Sequence, residues 1–294
     1  MSDTAGRASS RTFRWRLAGA VRHLRTRWKY RGSQPIVVVH QMGRVGSKTV
    51  RWAVRDDVPG VRSLHTHYLN PRTIEHMHEK FVRMYRHTGQ PVVYREHAQS
   101  CWLAEKIERR DYGDWKVVSL VRDPIARTVS AFFRHLPLHH PEVAGRFADD
   151  PGNVAKLIEL FRGGDHFESG FALDWFDREV RDVFGVDVFE RPFPADGMGC
   201  VYPCDAGSVL VLRTEDLASS GSEALGAFLG TGPIGLKHHN RTVERSYART
   251  YERFMSELRL SPDYLDRMYG SRLARHFYRE DEIAAFRHRW QVDA

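Results

Sequence analysis

Apolar residues in this chain fall into short runs, and a polar cluster follows each run. The runs are 36–39 (IVVV), 61–64 (VRSL), 92–94 (VVY), 116–121 (KVVSLV) and 209–212 (VLVL). The first, fourth and fifth are nearly continuous rather than alternating, as expected of parallel strands covered on both faces. Helical stretches are expected between them, over 48–54, 71–87, 154–161 and 173–184. In 71–87 the apolar positions are Ile74, Met77, Phe81, Val82 and Met84. Asp123 followed by Pro124 reads as an N-cap with proline at N1, opening another helix. Residues 135–152 and 189–204, rich in proline, histidine or glycine, read as loops. Residues 237–242 read as a polar linker, and 243–290 as two helices split at Ser261-Pro262.

Strands alternating with helices predict an α/β fold: a P-loop-like three-layer sandwich with a central parallel sheet of about five strands and helices on both faces. Such sheets bind ligands at the carboxyl ends of their strands. The polar clusters therefore converge on one edge. The domain is expected over 34–294. Residues 1–33 form a basic arm in which Leu17, Val21, Leu24 and Trp28 share helical spacing. Either this arm packs on the domain or is solvated, or residues 11–31 touch an anionic membrane surface.

Composition narrows the partners. Across 294 residues there are 45 Lys and Arg against 37 Asp and Glu, a net charge of +8, with 16 His besides. That balance suits anionic ligands without choosing among them. An apolar fraction of 41% supports a packed core. Three cysteines, Cys101, Cys200 and Cys204, make no disulfide framework and no zinc-ribbon pattern, so inert thiols in a reducing compartment are expected. No run reaches the roughly 20 apolar residues of a membrane span, and no secretory h-region opens the chain. A cytoplasmic location is expected, with the inner face of the membrane as an option.

The chemistry concentrates after the first strand, in Gly43-Arg44-Val45-Gly46-Ser47-Lys48-Thr49. Two glycines between a strand and a helix allow a tight turn, and a helix N-terminus favours an anion. The spacing is shorter than that of a triphosphate loop, and Arg122 stands beside Asp123, the carboxylate such a loop would use for magnesium. A nucleotide bound by side chains without metal fits better.

Two segments carry a resemblance. Arg44-Val45-Gly46-Ser47-Lys48-Thr49 and VRDPIARTVSAFF resemble, in that order, the two nucleotide motifs of sulfotransferases that use 3′-phosphoadenosine 5′-phosphosulfate (PAPS). The resemblance implies that Gly43 to Thr49 hold the 5′ end of PAPS, with Arg44 stabilising charge there. It implies that Arg122 and Ser130 hold the 3′-phosphate, and that no metal is needed. Lys48 departs from the commoner Ser or Thr at its position. YREHAQSCW resembles the segment of uronosyl 2-O-sulfotransferases that carries the catalytic base, which makes His97 the expected base. Glu96 departs from the usual glycine there. His67, in a Thr-His pair like that of cytosolic sulfotransferases, and Glu96 are the alternatives. Asn240 and Arg241 are expected to close over the nucleotide. Arg127 is expected to pair with a helix neighbour, and Trp102 and Trp115 to be core.

The loop, DWFDREV, VLVLRTEDL and FYREDEIAAFRHRW also resemble a bacterial family of capsular polysaccharide synthesis proteins. Together these imply sulfuryl transfer to a hydroxyl of a polysaccharide or glycolipid, with no nucleic-acid partner. A kinase or NTPase using Lys48, Thr49 and Asp123, and a non-catalytic polyanion binder, are the competing readings.

Overall fold

The computed structural model describes residues 34–85, 97–140, 151–164, 169–236 and 247–291, with residues 25, 26, 28 and 32. The expected strand at 92–94, the candidates Glu96, Asn240 and Arg241, and nearly all of the basic arm lie outside them.

Five strands form one sheet: β1 (Ile36–His40), β2 (Arg62–Thr66), β3 (Trp115–Val121), β4 (Cys200–Cys204) and β5 (Gly207–Arg213). Their order is β2-β1-β3-β5-β4. Four run parallel, and β4 pairs antiparallel with β5 at the edge. The fold is α/β, in the arrangement of a three-layer sandwich, as the apolar runs predict. The membership differs from expectation in one respect. Residues 200–204 form a strand, although 189–204 reads as loop. Its burial alternates, with Tyr202 inside and Val201 and Pro203 exposed, the pattern of an edge strand wetted on one face.

Among the described residues seven α-helices and a π-helical turn precede β4: α1 (Ser47–Asp57), α2 (Pro71–Tyr85), α3 (His97–Glu108), α4 (Pro124–His139), α5 (Val154–Gly163), α6 (Ser169–Leu173), the π-helical turn (Asp177–Arg181) and α7 (Asp182–Phe184). Helix α4 extends five residues into the stretch expected to be a loop from His135. The C-terminal part holds α8 (Gly221–Leu229), α9 (Ala248–Glu257), α10 (Pro262–Tyr269), α11 (Arg272–Phe277) and α12 (Glu280–Trp290). Residues 243–290 therefore contain four helices where two were expected. Ser261 and Ser271 cap α10 and α11 through their hydroxyls, and each cap marks a break.

Val38, Val39, Val117, Val118 and Val209 are fully buried, and Trp102 and Trp115 join this core as expected. A second apolar cluster joins α4 and α5 to the C-terminal helices through Val129, Phe161, Phe254, Met268 and Trp290. Among the described residues no helix is long and apolar enough to cross a membrane.

Candidate active site

β1 lies between β2 and β3, so the chain leaves it in opposite directions on its two sides. This is the switch point at which open α/β sheets form a crevice. The Gly43 to Thr49 loop follows β1, and Arg122 follows β3, so the two sequence motifs meet here.

The loop turns on two left-handed residues. Gly46 has φ 87°, as its lack of a side chain permits, and Arg44 has φ 76°. Gly43 does not take a left-handed conformation, contrary to the expectation that both glycines make the turn. Arg44 carries that strain instead, which side-chain-bearing residues seldom do.

What holds the strained loop is a set of three side-chain bonds to three consecutive carbonyls. Arg127 Nε donates to Gly43 O at 3.0 Å. Arg122 donates to Arg44 O at 3.1 Å. Thr214 Oγ1 donates to Val45 O at 2.8 Å and shares its proton with Val121 O at 2.9 Å. In a planar trans peptide the N–H of the next residue points opposite to the carbonyl. Tying the carbonyls of 43, 44 and 45 therefore turns the N–H groups of Arg44, Val45 and Gly46 the other way, a cradle of donors suited to an anion. Helix α1 begins at once after Gly46, and no side chain caps its N-terminus. Its first N–H groups add to the same positive end.

The second motif closes on the first. Arg44 donates from Nε to Ser130 O at 3.1 Å and Ser130 Oγ at 3.0 Å, and from its terminal nitrogen to Ser130 Oγ at 2.8 Å. Burial pushes the Arg44 guanidinium down to about 10, and Arg122 and Arg134 nearby act in the same direction. Among the described residues no carboxylate forms an ion pair with Arg44 or Arg122. The nearest carboxylates, Asp123 and Glu215, are buried behind the corner and act on Arg122 without closing an ion pair with it. Lys48 is exposed and Thr49 buried at the start of α1.

Asp123 acts behind the site. Its Oδ1 caps α4, accepting from Ile125 N at 2.9 Å and Ala126 N at 3.3 Å. It also accepts from Tyr269 at 3.0 Å, and Trp290 Nε1 donates to that tyrosine's oxygen at 3.0 Å. Burial pushes its carboxyl above the usual range. With Oδ1 committed to the helix and to Tyr269, Asp123 serves as a structural cap of α4, next in the chain to Arg122.

The two histidines considered as bases occupy different surroundings. His97 starts α3, stacks on His78 at 4.6 Å and has Nε2 3.7 Å from Cys101 Sγ. His67 follows β2, and its Nδ1 lies 2.8 Å from Gln41 O. A carbonyl only accepts, so Nδ1 carries the proton and Nε2 presents the lone pair. This bond ties His67 to the backbone two residues before Gly43.

Sequence reasoning missed two braces. Arg127, expected to pair along its helix, is 1% exposed and turned to the loop. Its spacing of three from Ser130 put both on one face of α4, which was the available signal. Thr214 was passed over although it follows the fifth apolar run, where strand-end residues converge.

Residues 157–279 match the model of a family described as "Putative capsular polysaccharide synthesis protein". The match covers less than half of the chain. It takes in β4, β5, Thr214 and Tyr269 but not the loop, Arg122 or Ser130. The resemblance to that family is thus seen over the C-terminal half, while the two nucleotide motifs stand outside it. Comparison with curated proteins returned no match, and comparison with solved structures returned none.

Proposed function

We propose that the protein is a sulfotransferase that moves the sulfuryl group of PAPS to a hydroxyl of a carbohydrate in polysaccharide or glycolipid synthesis. One observation carries the reading. Arg44, Arg122 and Ser130 come from two distant motifs, yet they form one connected cationic corner over a loop whose N–H groups are turned outward by tied carbonyls. A 3′,5′-bisphosphate nucleotide carries anionic groups at two ends, and this corner offers two anion-binding elements side by side. The matched family supplies the polysaccharide context.

On this reading Gly43 to Thr49 hold the 5′ end, and Arg122 and Ser130 hold the 3′-phosphate. Arg44 moves from Ser130 toward charge on the leaving phosphate. The acceptor oxygen forms its bond to sulfur as the bond from sulfur to the 5′-phosphate oxygen breaks. The acceptor proton passes to a histidine, and the desulfated nucleotide PAP leaves. Catalysis is then positioning and electrostatic stabilisation. His67 is favoured as the base because the backbone just ahead of the loop, at Gln41, sets its tautomer. His97 is the second reading, supported by the resemblance around YREHAQSCW, and Glu96 the third. Asn240 and Arg241 complete the proposed nucleotide contacts.

Calorimetry with PAP, ADP and ATP without magnesium tests the reading. Tight binding of PAP, lost in Arg122→Ala, is expected. Equal affinity for all three nucleotides defeats the 3′-phosphate argument. Binding that requires magnesium and prefers ATP points instead to a kinase built on Lys48 and Thr49. For the base, His67→Ala and His97→Ala are compared in PAP release from PAPS, and the variant that keeps PAP affinity but loses release identifies it.

A further inference from the structure

The helix expected over 173–184 contains the π-helical turn Asp177–Arg181. Such a turn inserts an extra residue into the helical ladder, and it is found mostly at functional sites. Here it carries a carboxylate, Glu179, that is 0% exposed.

Glu179 touches the end of β1 and the connection that follows β2. Its Oε2 accepts from Leu69 N at 2.6 Å and from Asn70 N at 3.1 Å, in the short connection between His67 and α2. Its carbonyl accepts from His40 Nε2 at 3.0 Å, the last residue of β1. The turn and the residues just before it meet that connection twice more. Trp175 Nε1 donates to His67 O at 3.1 Å, and Asn70 Nδ2 donates to Arg178 O at 3.1 Å. His67 is therefore held by its ring at Gln41, by its carbonyl at Trp175, and, two and three residues further on, through the Leu69 and Asn70 N–H groups at Glu179.

A buried carboxylate is an expensive way to accept two hydrogen bonds. The groups facing it offset that cost only in part. From β1 comes His40, whose Nε2 is 3.7 Å from Oε2 and which burial pushes down to about 3, leaving the ring neutral. From α2 comes the Thr73 hydroxyl, and from its own turn the Arg178 guanidinium. Burial outweighs these, pushing the Glu179 carboxyl up to about 7. The charged form still makes the stronger acceptor for Leu69 and Asn70.

We propose that Glu179 is a positioning residue for proton transfer, tying the β2–α2 connection to the end of β1 so that His67 keeps the orientation its bond to Gln41 sets. The inference rests on the sulfotransferase reading with His67 as base. It reaches into the segment 157–279 matched by the polysaccharide-synthesis family, which contributes this tether and not the nucleotide loop.

The test uses the full chain with PAP for binding, and PAPS with water as acceptor for transfer, read as PAP release. Glu179→Gln keeps an acceptor of the same shape without the charge. Its expected effects are an unchanged PAP affinity within twofold, PAP release slower by about tenfold at pH 8, and amide exchange at Leu69 and Asn70 faster by about tenfold. The wild-type decline in rate as pH falls through 7 should also lose the step that Glu179 contributes. Trp175→Phe, which keeps an aromatic side chain but removes the indole N–H and leaves a small cavity, should also slow release at unchanged PAP affinity. A Glu179→Gln protein with wild-type release and pH profile overturns the positioning role, and wild-type exchange at Leu69 and Asn70 overturns the tether. Wild-type protein that fails to bind PAP defeats the nucleotide reading instead, and the exchange measurement still decides the tether.

Discussion

Replacing Thr214 by valine isolates one of the three braces on the loop. Valine matches threonine in shape, so the change removes the hydroxyl and little else. The Thr214 proton is shared between Val45 O at 2.8 Å and Val121 O at 2.9 Å. Val45 is 0% exposed, so its carbonyl cannot turn to water without moving the loop. A lost hydrogen bond of this kind is worth about 1 kcal/mol, and an orphaned buried acceptor costs about 1–3 kcal/mol. The expected loss of stability is therefore about 1–3 kcal/mol, measured by urea denaturation. The same peptide carries the Gly46 N–H, one of the donors aimed at the anion. If the tether organises that donor, PAP affinity falls with stability, by about tenfold for each 1.4 kcal/mol expressed at the site. Calorimetry reads this directly. Reduced stability with unchanged PAP affinity would refute the claim that tied carbonyls preorganise the cradle.

Other outcomes follow from the same geometry. Gly46→Ala places a side chain at φ 87°, with its Cβ 3.4 Å from Leu217 Cδ1, and should cost about 1–2 kcal/mol in thermal or urea unfolding. Tyr269→Phe removes a donor from Asp123 and the acceptor of the buried Trp290 N–H, so a loss of about 1–3 kcal/mol is expected in urea denaturation. His40 is neutral in the fold, with its folded value depressed to about 3 from 6.5. The unfolded chain therefore binds the extra proton first, and stability falls as pH drops from about 6.5 toward 3. Relative to His40→Gln, which cannot titrate, wild-type stability should decline by roughly 3 kcal/mol between pH 7 and 4 in denaturation curves. A constant difference across that range would refute the buried neutral ring.

The apolar runs were legible because central strands are buried on both faces and therefore read as continuous β-branched stretches. β4 was not, because CVYPC alternates, contains a proline and follows a glycine-rich segment that also describes a loop. The Asp123-Pro124 helix start was legible because capping is local chemistry. The breaks that divide the C-terminus into four helices carried local signals too, in Ser261 before Pro262 and in Gly270-Ser271, but only the first was read. The π-helical turn left no mark in the periodicity of 173–184, since Trp175, Phe176, Val180 and Phe184 face inward in either geometry.

By itself the sequence determined which residues could handle an anion and that they follow strands of one sheet. It did so because strand direction and the crossover rule bring those residues to one edge whatever the details of packing. Only the tertiary structure decided how they act. The carbonyls of Gly43, Arg44 and Val45 are held by side chains 84, 78 and 169 residues away. Glu179 meets Leu69 across 110 residues. Contacts at such separations are set by the packing of whole elements against each other. They turn a short glycine loop into a directed set of donors, and a buried glutamate into a tether for a histidine.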